Sequence, residues 1–304
     1  MRKYRINNGF RTVSALFVMW LFVFVQSSKA NQLPQNEIWL VNARTASWTN
    51  PNEQEFQKIQ ISRLNEFSGC WEKSSFDEFF ESYEPDVPTV VLIHGNLFTL
   101  SDSITSGCQF SRAVLNGGHF RLVIWAWPSD KIPGIRPDVQ TKAFYSEIQG
   151  NYLARFLRRF SDGSKVGLVG FSFGARMIGE AVRRCYVNGS FPVKLSVLLL
   201  APAMDQYSVL PGGKYGTMFY AAEKSMLIYN PTDRALRYYP KMYQRGHGGP
   251  QALGRESVSL SALPIDVRAK IKAIDVSGIS GRQHSFNVYF TSSSLNSKMR
   301  KLLE

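Results

Sequence analysis

From Thr89 onward, short unbroken apolar runs alternate with longer stretches in which apolar positions recur every three or four residues. The runs are Thr89–Ile93, Leu122–Ala126, Lys165–Val169, Val193–Leu200, Met226–Tyr229 and Ala273–Val276. They are rich in β-branched residues and too short for helices, so they read as strands buried on both faces. The spacing between them predicts helices at Val139–Phe160, Phe173–Tyr186 and Ser292–Leu303. Alternation of this kind implies an α/β fold with a mostly parallel central sheet and helices on both faces. Before it, Ile38–Ala43 and Lys58–Arg63 read as strands added at the sheet edge. The expected organisation is one domain over 31–304, with edge strands in 31–87 and the core in 88–304.

The first 30 residues do not belong to that pattern. Four cations precede the apolar run Val13–Val25, and Ser28 and Ala30 stand at −3 and −1 of a small-residue cleavage site. The run is 13 residues, against the ~20 that a membrane span needs. The segment therefore reads as a signal peptide removed near Ala30, with a retained membrane anchor as the alternative. An exported protein is the expectation. The net charge of +13 falls to +8 once this segment, with five cations and no acid, is set aside. Basic residues form no long run and are not interleaved with aromatics, which argues against a nucleic-acid partner. Three cysteines make no disulfide framework. Cys185 falls on an apolar helical stripe, and pairing of Cys70 with Cys108 is left open.

Chemistry gathers beyond the carboxyl ends of the strands in such a sheet. Gly170-Phe-Ser-Phe-Gly174 follows one strand and leads straight into a helix. In that context G-x-S-x-G marks a nucleophile on a turn so tight that both flanking glycines must be small. Ser172 is the candidate nucleophile, with the Phe173 N–H aimed at a developing oxyanion. The strand ending Ile93-His94-Gly95 supplies a second oxyanion donor from the backbone of Asn96 or Leu97, and His94 reads as a structural group that holds this loop. A serine needs a base, and the base an orienting acid. Of four histidines, His284 lies in the loop after the last strand, where the order Ser…Asp…His expects the base. Asp233 and Asp205 each follow a strand at the correct edge and compete for the acid.

The residues Val-Leu-Ile-His-Gly-Asn96, Trp-Ala-Trp-Pro-Ser129, Gly-Phe-Ser-Phe-Gly174, Ala-Pro-Ala-Met-Asp205, Tyr-Asn-Pro-Thr-Asp-Arg-Ala-Leu236 and His-Ser-Phe286 resemble the α/β-hydrolase superfamily. They are most similar to a bacterial branch of unknown function that pairs a Trp-Pro-Ser motif with Asp-x-Ala-Leu. The resemblance covers Pro88 to Glu304 and implies an α/β-hydrolase fold, with Asp233 as the acid. It implies a serine hydrolase, exported on the signal-peptide reading above, that cleaves an ester or related acyl bond and needs no metal or organic cofactor. Its substrate would be a small-molecule or lipid acyl compound, with peripheral membrane contact in the lipid case. A catalytically inactive binding protein on the same fold is the alternative. Trp127, Met204 and Asp205 are expected at the substrate pocket, and the long connection 202–224 as a lid or as a helix packed on the sheet.

Overall fold

The computed structural model describes residues 36–187, 189, 193–243, 249–256 and 262–304. The signal-peptide reading therefore lies outside the described residues. Nine strands form one sheet: β1 (Glu37–Asn42), β2 (Gln60–Leu64), β3 (Trp71–Ser74), β4 (Thr89–Ile93), β5 (Arg121–Ala126), β6 (Lys165–Phe171), β7 (Lys194–Leu200), β8 (Lys224–Tyr229) and β9 (Ile271–Asp275). Their order is β3-β2-β1-β5-β4-β6-β7-β8-β9. Only the β1–β2 and β2–β3 pairings are antiparallel, so the sheet is parallel from β1 to β9. The six runs of the core all appear as strands, and the edge gains β3, which the sequence pattern did not reveal.

The period-two alternation of strand side chains assigns the helices to opposite faces. On β5, Ile124 packs where a side chain on Gly107 would stand, within α1 (Leu100–Phe110). Its neighbour Trp125 meets Phe156 of α2 (Ile135–Leu157) edge-on on the other face, with centroids 5.6 Å apart. On β6, Gly167 leaves room for Leu303 of the C-terminal helix, whereas Gly170 faces Ile178 of α3 (Gly174–Val187). Thus α2 and α3 share one face, and α1 and α4 (Ser293–Leu303) cover the other.

The connection 202–224 packs rather than covers. Met204, Val209, Tyr215, Met218 and Phe219 are all buried, and the short helix Thr217–Ala221 lies against α3, where Gly179 admits the Tyr215 ring. Its apolar content is spent on the core, and the lid expectation is set aside. The three cysteines are free, so Cys70 and Cys108 do not pair. Cys185 is buried on α3 as its stripe implied, and burial pushes its thiol up to about 11.

Candidate active site

β6 ends at Phe171, and α3 begins at Gly174, so the chain must reverse within two residues. Ser172 does this with φ 53, in the left-handed region that a side chain enters only under strain. Both glycines are required by contact. A Cβ on Gly170 would lie 2.7 Å from Ile178 Cδ1 and 2.8 Å from the Ala175 nitrogen, and one on Gly174 would strike the Ile93 carbonyl oxygen. The turn is latched to the end of β7. Ser172 N–H donates to the Leu200 carbonyl at 3.0 Å, and its own carbonyl accepts from Ala203 N–H at 3.0 Å.

The Ser172 hydroxyl lies 3.0 Å from Nε2 of His284, and Nδ1 of His284 lies 2.6 Å from Oδ2 of Asp233. Asp233 is 1% exposed, and its second oxygen accepts the Leu236 N–H at 2.9 Å. The Asp-Arg-Ala-Leu236 stretch is thus a turn that closes back on its own carboxylate. Phe171 stacks on the imidazole of His284, with centroids 5.0 Å apart. Asp205 is elsewhere: its carboxylate accepts Tyr207 N–H at 2.7 Å and caps a turn. Of the two candidate acids, the structure brings Asp233 and not Asp205 to His284.

A residue that sequence reasoning missed ties acid to base. Asn230, wholly buried, donates to the Ser280 hydroxyl at 2.9 Å and the Gly281 carbonyl at 2.8 Å. Its carbonyl accepts from Thr232 N–H at 2.9 Å, and the Asp233 N–H donates to its backbone oxygen at 3.1 Å. Thr232 Oγ1 reaches the Gly281 carbonyl at 2.5 Å, and Arg234 N–H the Arg282 carbonyl at 3.2 Å. The loops carrying Asp233 and His284 are therefore joined as one body. Asn230 stands in the Tyr-Asn-Pro-Thr-Asp-Arg-Ala-Leu236 stretch that carries the family resemblance, but nothing in the pattern points to this role.

Across the serine, the loop after β4 offers its backbone. Leu97, at φ 64, donates its N–H to the Ser129 carbonyl at 2.9 Å and so is not available to an oxyanion, which corrects its expected role. The Asn96 N–H has no hydrogen-bond partner among the described residues. Its side chain is held from α2: Nδ2 donates to Asp138 Oδ2 at 2.5 Å, while Asp138 Oδ1 accepts the Ile132 N–H at 2.9 Å. Asp138 is buried beside Lys142, whose ammonium donates to the Asp130 carbonyl at 2.5 Å. The Phe173 N–H follows the serine at the start of α3, where helix N-termini favour negative charge.

His94 has the structural role expected of it. Buried between Phe98 and Trp127, its Nε2 accepts the Trp127 N–H at 3.2 Å, which leaves Nδ1–H to donate to the Gly95 carbonyl at 2.9 Å. Desolvation pushes its pKa down to about 3, with Arg44 adding to the effect, so the ring is neutral.

A cavity of about 680 Å³ opens over Ser172 and His284. Its walls come from the loop after β4 (Asn96, Leu97, Phe98), the start of α2 (Ile135, Val139), the Phe171–Phe173 turn, residues 235–242 (Leu236, Tyr238, Tyr239, Met242) and Phe286. Trp127, Met204 and Asp205 do not line it. Trp127 is fully buried because its indole N–H donates to the His94 carbonyl at 2.9 Å, and Met204 is consumed by the core. From 202–224 only Ala203 reaches the cavity.

A family model described as alpha/beta hydrolase of unknown function (DUF900) matches residues 72–248, more than half of the chain. The chain belongs to this family. Among solved structures, the hydrolase is similar to esterase B from Lactobacillus rhamnosis, at 15% identity over 91% of this chain and 87% of that one, with a TM-score of 0.35. It is similar to the hyperthermophilic esterase from the archaeon Pyrobaculum calidifontis, at 12% identity over 98% of this chain and 91% of that one, with a TM-score of 0.38. A bacterial heroin esterase shows 13% identity over 94% and 90% of the two chains, with a TM-score of 0.39. Likeness at this level goes no further than the fold. No curated protein matches the hydrolase in sequence.

Proposed function

We propose that this hydrolase is a serine esterase working through an acyl-enzyme. Ser172 Oγ attacks the ester carbonyl while His284 Nε2 takes its proton. Asp233 holds the tautomer in which Nδ1 carries hydrogen and stabilises the imidazolium that forms. The Phe173 and Asn96 N–H groups receive the oxyanion. The alcohol leaves with the proton from His284, and water, deprotonated by the same ring, releases the acid. The observation that carries this reading is the unbroken contact from Ser172 through His284 to Asp233, 3.0 Å and then 2.6 Å, at the floor of a cavity. A binding protein would have no use for a strained serine in that alignment.

The test is Ser172→Ala with a soluble chromogenic ester, alongside labelling by a fluorophosphonate. The alanine variant is expected to fold, to resist labelling and to lose on the order of 10⁴-fold or more in kcat, since only binding and the oxyanion donors remain. Retention of a tenth of the activity would overturn the assignment of Ser172. The reading includes export, supported by the basic start, the short apolar run and the Ser28/Ala30 spacing.

A further inference from the structure

The exposed charged residues that neighbour the cavity lining along the chain are mostly basic. Arg136 follows the lining residue Ile135, Arg234 precedes Ala235, and Arg237 stands between Leu236 and Tyr238. Lys241 precedes Met242, and Arg282 lies two residues before His284. All five are exposed, and among the described residues none is ion-paired with a carboxylate. The acids of the same stretches, Asp138 and Asp233, are buried and committed to Asn96 and His284. One exposed carboxylate lines the cavity, Asp102, occupied by the Thr99 N–H and hydroxyl at 2.9 and 2.6 Å. Some basic residues elsewhere are paired, Arg155 with Glu53, Arg159 with Asp77 and Arg184 with Glu180. Others such as Lys73, Lys165 and Lys272 also stand without a carboxylate partner among the described residues, so it is the company of exposed apolar side chains that sets the mouth apart.

Between these cations large apolar side chains stand in solvent at the same mouth. Ile135 is 75% exposed, Leu97 57% and Tyr238 50%. Each also lines the cavity, so the apolar surface runs from the rim down to Ser172. At about 680 Å³ the cavity has the size of a site for an extended small molecule. Exposed apolar groups within an unpaired basic ring match a membrane interface, where the tips enter the acyl boundary and the cations meet anionic headgroups.

We propose that the mouth of the cavity docks on an anionic phospholipid surface and that the substrate is an acyl ester of those lipids, its chain in the cavity and its phosphate among the basic residues. The inference rests on the esterase reading of Ser172. In the reaction Ser172 displaces the lysophospholipid alcohol, which departs with the proton His284 took from the serine, and water then frees the fatty acid.

Docking is measured with the Ser172→Ala variant, which cannot consume the vesicles, by sedimentation with phosphatidylcholine vesicles and with vesicles that also contain phosphatidylglycerol. Binding to the second kind is expected to be at least tenfold tighter and to weaken as salt shortens the range of the headgroup charge. Each cation at such a surface contributes about fivefold. Replacing three of them (Arg136→Gln, Arg237→Gln, Lys241→Gln) should therefore weaken binding roughly 100-fold. The same triple change in the active enzyme should leave hydrolysis of a soluble butyrate ester unchanged and lower fatty-acid release from the anionic vesicles. Equal binding to both vesicle types, unchanged binding of the triple variant, or equal affinity for a short DNA duplex overturns the docking face. Soluble-ester hydrolysis without fatty-acid release from bound vesicles overturns the lipid substrate. Vesicle binding by an enzyme that Ser172→Ala does not inactivate would instead refute the esterase reading and leave the docking face standing.

Discussion

Asp233 has both carboxylate oxygens in use, one toward His284 and one toward the Leu236 N–H, at 2.6 and 2.9 Å. Asp233→Asn keeps the shape but offers an N–H where the imidazole needs an acceptor, which sets the wrong tautomer. A loss in kcat of up to ~10⁴-fold is expected. Asp205→Asn touches only a turn cap, and steady-state kinetics of the two variants on one ester should show a mild effect there. The opposite ordering would move the acid to Asp205. His94 supplies a test in pH. Its folded pKa is depressed from 6.5 to about 3 by burial, so between those values the unfolded chain binds the proton and the folded one does not. Stability is therefore intact above 6.5 and falls as pH drops toward 3, by on the order of 4 kcal/mol from this group alone. The slope of unfolding free energy against pH should flatten in His94→Gln, even though that variant is less stable at neutral pH. An unchanged slope would mean that His94 takes its proton without unfolding.

At the scale of elements, the turn from β6 into α3 stores strain at Ser172 that serves the position of its hydroxyl. Comparing Ser172→Gly with Ser172→Ala isolates it, since both lose the hydroxyl and only alanine keeps a Cβ at φ 53. The glycine variant is expected to be the more stable by about 1 kcal/mol, although glycine has the more costly chain entropy. Denaturant unfolding measures the difference, and greater stability of the alanine variant would remove strain from the account. The core strands were readable because burial on both faces leaves a continuous apolar run. α1 was not, because its buried face is Ser103, Ser106, Gly107 and Phe110, mostly small groups that let it approach β5 closely and leave a single large apolar residue rather than a stripe. β3 is an exposed edge of four residues with no clear alternation. α2 begins at Ile135 rather than Val139, since Pro137 falls in the first turn, where a missing N–H costs nothing. Of the candidate site, Ser172 and His284 could be placed from their positions after strand ends, whereas strand-end position left Asp233 and Asp205 in competition and only the family resemblance favoured Asp233. The cavity wall could not: it is assembled from segments far apart in sequence, and Trp127 was lost to it through its contact with His94, over 30 residues earlier.

For the whole molecule, the expected product of export starts at Asn31, and intact-mass measurement of the exported chain checks it. A membrane-bound product beginning at Met1 would show a retained anchor instead. No helix among the described residues is long and apolar enough to cross a membrane. The docking proposed at the cavity mouth would be a reversible contact set by headgroup charge rather than an insertion.

The glycines around the serine carry a consequence for how the enzyme can change. A Cβ on Gly174 would strike the Ile93 carbonyl, so the end of β4 and the start of α3 meet backbone to backbone, while one on Gly95 would come within 3.0 Å of Ser172 Cβ and 2.9 Å of the Phe171 ring. The spacing between the Ser172 turn and the loop after β4 is thereby set largely by main-chain contact and by one aromatic ring, and less by the fit of the deeper core. Substitutions deeper in the sheet can erode melting temperature while leaving the rate constant where it was. Thermal robustness and chemical competence are separable traits in this scaffold, and a mutating lineage can drift in one without forfeiting the other.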